Sequence, residues 1–135
     1  MYILIIGGGK IGYYLTKTLL QANYSVGIVE QDEKRCMRLA EDFEITVING
    51  DGTDIKVLRE AAVNDAHYTV AVTGRDEVNL VICQLAKKYF QADLRDSAHY
   101  HLVINTALVK PGTIVELVKS LIEERKENRH DPSGS

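Results

Sequence analysis

Three glycines, Gly7, Gly9 and Gly12, follow the apolar run YILII in the pattern G-x-G-x-x-G, and Glu30 closes a second apolar run, VGIVE, 18 positions after Gly12. Each glycine answers a separate demand: Gly7 lets the chain turn sharply, Gly9 lets backbone approach a pyrophosphate, and Gly12 lets a helix pack closely on the strand. A helix starting here offers a phosphate its free N–H groups and the positive end of its dipole. A carboxylate ending the neighbouring strand accepts the hydroxyl protons of an adenosine ribose. It also repels a 2′-phosphate, and the next residue is Gln31 rather than Arg, so the pattern predicts NAD or another adenine nucleotide in preference to NADP. Gly8 completes the loop, and Lys10 is either a point-charge contact to a phosphate or a solvated helix-start lysine. A phosphoryl-transfer loop is excluded, because it ends in Gly-Lys followed by Ser or Thr, whereas Tyr13 and Tyr14 follow Gly12.

These residues need elements to hold them. Short runs rich in Ile and Val at 2–6, 26–29, 45–48, 69–72 and 102–104 read as buried strands. Helical spacing fills the gaps at 10–22, 33–42 after a cap at Asp32, 54–62, 77–90, and 112–127 after Pro111. Strict alternation predicts an α/β domain, a Rossmann-like doubly wound parallel sheet of order 3-2-1-4-5 with helices on both faces. The expected domain covers 1–126, with 91–126 as a divergent final strand and helix, and 127–135 as a flexible tail.

The 135 residues suit one core, and 45% apolar with 26% charged residues is ordinary for a globular domain. No apolar run reaches the length of a membrane span, and the start does not read as a secretory signal, so a cytoplasmic protein is expected, with no direct membrane insertion. Cys36 and Cys83 stand far apart in no metal-binding or redox spacing and read as buried thiols; no metal is expected. A net charge of -3 with interspersed signs argues against nucleic acid as a partner.

Two further stretches fall at strand ends. In NGDGTD, residues 49–54, Asp51 stands on the crevice side near an adenine, or else the stretch is a glycine turn capped by Thr53 or Asp54. In VTGRDEVNL, Thr73 and Gly74 end a strand while Asp76, Glu77 and Asn79 open a helix, where acidic residues are favourable in any case.

Together, GGGKIG, VGIVE, NGDGTD and TGRDEVNL resemble, over roughly residues 1–90, the nucleotide-binding domain of the TrkA/KTN/RCK family, which regulates potassium channels and transporters. The resemblance implies a cytosolic module that binds NAD(H) or ATP/ADP, forms a homodimer or higher oligomer, and docks on a membrane potassium-transport protein. It implies that Gly7, Gly8, Gly9, Lys10, Ile11 and Gly12 hold phosphates, and that Glu30 with Gln31 meets the ribose. Asp51, Gly52 and Thr53 would border the adenine, and Thr73, Gly74 and Arg75 the phosphate or nicotinamide side. Asp76, Glu77 and Asn79 rank lower as contacts. Beyond residue 90 the sequence departs from that family, and YHLVINT with VELVKSLI is weakly similar to the closing strand and helix of cytidylate-kinase-like proteins. The 45 residues after position 90 are too few for the family's second, ligand-sensing domain.

A dehydrogenase needs a proton donor or acceptor beside the nicotinamide. His67 precedes a strand, His130 lies in the tail, and His99 and His101 fall at a strand start, opposite the ligand crevice. Asp51 and Asp76 form no evident acid/base pair, and Tyr13 and Tyr14 read as packing residues. The sequence therefore predicts no catalytic residue and a nucleotide read as a signal. The alternative is a small NAD-dependent oxidoreductase or the dinucleotide-binding fragment of a larger enzyme.

Overall fold

The computed structural model describes residues 1–89, 100–103 and 110–130. In chain order the elements are β1 (Tyr2–Ile6), α1 (Lys10–Gln21), β2 (Ser25–Glu30), α2 (Glu33–Asp42), β3 (Thr46–Asn49), α3 (Ile55–Glu60), β4 (Tyr68–Ala71), α4 (Asp76–Tyr89), β5 (Tyr100–Val103) and α5 (Pro111–His130). All five strands run parallel in the order β3-β2-β1-β4-β5, as the alternation of elements predicts.

Alternate side chains of β1 serve opposite faces. Ile3 and Ile5 pack with Leu15 and Leu19 of α1, Leu39 of α2, and Ile114, Val118 and Ile122 of α5. Leu4 and Ile6 pack with Leu58 of α3 and with Ile82, Cys83 and Ala86 of α4. Burial on both faces explains why β1 reads as a continuous apolar run rather than an alternating one.

Chain order also fixes where a crevice opens. From β1 the chain crosses by α1 to β2 on one side, and β4 lies on the other, so the connections after β1 and β4 diverge at the strands' carboxyl ends.

Most boundaries fall within one residue of expectation, and three elements depart further. α3 ends at Glu60, two residues before 62, because Ala62 is left-handed at φ 58 and the chain continues as a 3-10 turn over Val63–Asp65. β5 covers 100–103 rather than 102–104, and residue 104 lies outside the described residues. α5 runs to His130, into the stretch expected to be tail from 127, because a Glu-, Lys- and Arg-rich sequence continues a helix on intrinsic propensity without an apolar stripe. Residues 131–135 of the expected tail, and His99, lie outside the described residues.

Candidate functional site

The β1–α1 turn needs its glycines. Gly7 adopts φ +117, a region that L side chains avoid, and a Cβ there would lie 2.8 Å from the backbone of Val72 and Thr73 after β4. A Cβ on Gly12 would overlap the carbonyl oxygen of Gly7, so the first turn of α1 sits directly on the glycine turn. Close packing is the demand expected of Gly12, but its nearest neighbour is the turn itself rather than the strand.

Glu30 is 7% exposed at the end of β2. Its Oε1 accepts the N–H of Gly8 at 2.7 Å and its Oε2 accepts the N–H of Asp32 at 2.7 Å. The Arg35 Nη1 lies 3.8 Å from Oε1. Charge-assisted bonds of this kind offset the cost of burying a carboxylate. Around it, the carbonyl of Glu30 accepts from the Asn49 amide at 3.1 Å and from the Cys36 thiol at 3.2 Å. The expected cap is present: Asp32 accepts the N–H of Lys34 at 2.8 Å and starts α2.

A cleft of about 430 Å³ opens at the carboxyl ends of the strands. Such a volume lies within the usual range for small-molecule sites. Of the residues expected in a site, it brings together Gly7, Gly9, Glu30, Gln31, Asp51, Gly52, Thr53, Thr73, Gly74 and Arg75. The order along the cleft follows the sheet, with Asp51 after β3, Glu30 on β2, the glycine turn after β1 and Thr73 after β4. Asp51 Oδ1 accepts both the N–H of Thr53 at 2.9 Å and its hydroxyl at 2.8 Å, and these bonds hold the Asp51 carboxyl below its ordinary range. Asp54, not Thr53, caps α3 by accepting the N–H of Lys56 at 2.9 Å.

Four expected residues do not line this cleft. Gly8 and Lys10 line a second cleft of about 390 Å³ between α1 and α2, with Tyr13, Tyr14, Arg38 and Leu39; Gly9 and Arg35 border both. Ile11 packs against the core and Gly12 is buried beneath Gly7, so a phosphate contact expected of them has only backbone to come from. Tyr13 donates its hydroxyl to Asp42 at 2.6 Å and carries the Arg38 guanidinium 4.5 Å above its ring, a packing role of the kind expected.

Sequence reasoning missed Arg35 and the apolar floor of the main cleft, Ile6, Val29, Val72, Val78 and Ile82. The signal for Arg35 was the two-residue turn Gln31–Asp32, which returns the start of α2 over the end of β2. The floor residues belong to the apolar runs of the strands and of α4, and their nearness to the strand ends is what places them under the cleft. His67 accepts the N–H of Tyr2 through Nδ1 at 3.1 Å, at the opposite ends of the strands. Among the described residues no group of His, Cys, Asp or Glu is arranged to hold a metal ion, and no helix is long and apolar enough to cross a membrane.

The profile of the TrkA-N domain matches residues 3–107 of this chain. A Trk system potassium uptake protein TrkA homolog from Methanothermobacter thermautotrophicus is 42% identical over 89 residues, covering 66% of this chain and 41% of that protein. The Trk system potassium uptake protein TrkA of Vibrio alginolyticus is 34% identical over 134 residues, covering 91% of this chain and 29% of that protein. The chain thus spans less than half the length of these relatives. The structure of a GsuK channel bound to NAD superposes with a TM-score of 0.62 at 23% identity, over 86% of this chain and 20% of that one, a likeness of fold. The Methanothermobacter match has a length close to the 90 residues over which likeness is expected, whereas the family profile and the Vibrio relative continue past residue 90.

Proposed function

This chain belongs to the TrkA-N domain family, and from that premise we propose that it is a regulatory module that binds NAD or NADH in the main cleft and reports the bound state to a membrane potassium-transport protein. The observation that carries the reading is the buried carboxylate of Glu30 beside the glycine turn at the mouth of the cleft. The adenosine ribose meets Glu30, the adenine lies toward Asp51, Gly52 and Thr53, and the pyrophosphate crosses Gly7 and Gly9. Lys10, from the neighbouring cleft, supplies a positive charge at long range. The remaining half of the dinucleotide extends toward Thr73, Gly74 and Arg75. ATP and ADP share the adenosine and the pyrophosphate and compete for the same place.

The module works as a homodimer or higher oligomer on the cytoplasmic face of its partner. A nucleotide that prefers one arrangement of the oligomer shifts the population toward it, and the partner reads that arrangement through differential contacts. A role in potassium transport is supported by the names of the TrkA relatives, which are Trk system potassium uptake proteins.

Calorimetric titration of NADH, NAD, ATP and ADP into wild type and Glu30→Ala tests the assignment. NADH binding by wild type, and its loss in the variant, is the expected result. Equal affinity of both proteins for every nucleotide overturns the ribose assignment, and no binding by wild type overturns the reading altogether.

A further inference from the structure

Asn79 sits in the first turn of α4, fully buried, and does not itself line the cleft. Its amide makes three hydrogen bonds, all to Thr73. The Oδ1 atom accepts the Thr73 N–H at 2.9 Å and the Thr73 hydroxyl, and Nδ2 donates to the Thr73 carbonyl at 3.2 Å. The orientation of the amide follows from this set, since a flipped side chain would set donor against donor at Thr73 N. The Thr73 hydroxyl in turn accepts the N–H of Arg75 at 3.3 Å, so the clamp extends over the rim from Thr73 to Arg75.

The buried amide of Asn79 is directed wholly at the loop that leads into α4. Acidic Asp76 and Glu77 already occupy that first turn, where they favour the helix dipole. A buried amide is costly unless satisfied, and here its bonds go to a single residue of the cleft rim. That rim also abuts the glycine turn, since the backbone of Val72 and Thr73 leaves no room for a Cβ on Gly7. Thr73 is therefore packed against the glycine turn at the edge of the cleft.

We infer that Asn79 is a positioning residue for the part of the dinucleotide beyond the pyrophosphate, acting through the Thr73–Arg75 rim. The inference rests on the nucleotide binding proposed above. Adenosine lies on the β2 and β3 side of the glycine turn, so AMP fits without reaching this rim, whereas NADH crosses to it.

The test compares the affinities of NADH and AMP for the full chain as wild type, Asn79→Ala and Asn79→Asp. Asn79→Ala is expected to raise the Kd for NADH by about tenfold while the Kd for AMP changes less than about twofold, in keeping with the loss of buried hydrogen bonds. A general loosening of the fold would lower both affinities together, so the ratio of the two separates positioning from stability. Asn79→Asp keeps the acceptor for the Thr73 N–H and hydroxyl and removes only the donor to the Thr73 carbonyl, so it is the variant that folds if Asn79→Ala does not; a rise of about threefold in the NADH Kd alone is expected. Variants that lose both ligands in equal proportion, or neither, overturn the inference while leaving the nucleotide site intact. Wild type that binds neither ligand removes the site and the inference together.

Discussion

The Oε1 atom of Glu30 accepts the backbone N–H of Gly8 at 2.7 Å, across 22 positions of the chain, and its Oε2 holds the N–H of Asp32 at the same distance. One carboxylate therefore ties the turn after β1 to the turn after β2. A carboxylate offers about four lone-pair directions, so two remain for a pair of ribose hydroxyls. Structural and ligand-binding duties coexist on one side chain, and its removal affects both. Glu30→Ala leaves the Gly8 N–H without its acceptor and is expected to cost about 1–3 kcal/mol in urea unfolding, in addition to lost NADH affinity. A variant as stable as wild type would show that the bond to Gly8 contributes nothing to the fold.

Two glycines of the same turn divide folding from binding. An Ala at Gly12 drives its methyl group into the Gly7 carbonyl, and Gly12→Ala is expected to lose about 1–3 kcal/mol of stability or fail to accumulate as folded protein. An Ala at Gly9 meets nothing nearer than the Arg35 Nη1 at 3.7 Å, and Gly9 already has an ordinary φ of -74. Gly9→Ala is expected to stay within about 1 kcal/mol of wild type, the usual scale of an N-cap change. It should nonetheless lose nucleotide affinity, because the methyl group stands where a phosphate approaches backbone. Thermal melting alongside NADH titration checks the pair, and normal binding by Gly9→Ala would remove the pyrophosphate from this turn.

The elements were legible because β1, β2 and β4 are buried under helices whose apolar spacing the sequence displays, while half-buried β3 still carries the Val-Ile pair of a strand. Glu30 was legible because a strand end and a glycine turn leave it one direction to face. Asn79 was visible as a residue of the TGRDEVNL stretch, but its bonds to Thr73 depend on α4 turning back beside the loop that starts it, which no spacing reveals. Arg35 was hidden for a related reason, since its neighbours Glu30 and Gly9 come from two other turns. Lys10 sits inside the glycine pattern, yet helical rotation carries it to the second cleft. The end of α3 rests on a left-handed Ala62, a residue type that gives no warning of such a backbone.

Arg35 changes what the acidic strand end implies for selectivity. Glu30 opposes a 2′-phosphate, but a guanidinium 3.8 Å away weakens that opposition, and it is solvent-exposed enough for salt to screen it. NADPH is expected to bind wild type more weakly than NADH, and Arg35→Ala to widen the gap by several-fold, most clearly at low salt. Fluorescence titration of both cofactors at two ionic strengths measures this. A gap that narrows in Arg35→Ala would place the guanidinium away from the ribose.

Alkaline pH tests the buried groups behind the site. Burial pushes the Cys83 thiol from 9.0 up to about 11, and burial with the nearby charge of Asp65 pushes the Tyr2 hydroxyl from 10.0 up to about 12. Tyr2 donates that hydroxyl to the Ala61 carbonyl at 2.8 Å, a bond that the phenolate cannot make. Both groups hold their protons more tightly folded than unfolded, so their contribution to stability is complete below about pH 9 and is lost progressively between about pH 9 and 12. The melting temperature is therefore expected to hold steady with respect to these two groups up to about pH 9 and then to fall. Cys36, raised chiefly by burial, and Cys83 should both resist iodoacetamide in the native protein at pH 8 and react once urea unfolds it. Rapid native labelling of Cys83 would mean that α4 opens away from the sheet, and with it the rim that Asn79 holds over the cleft.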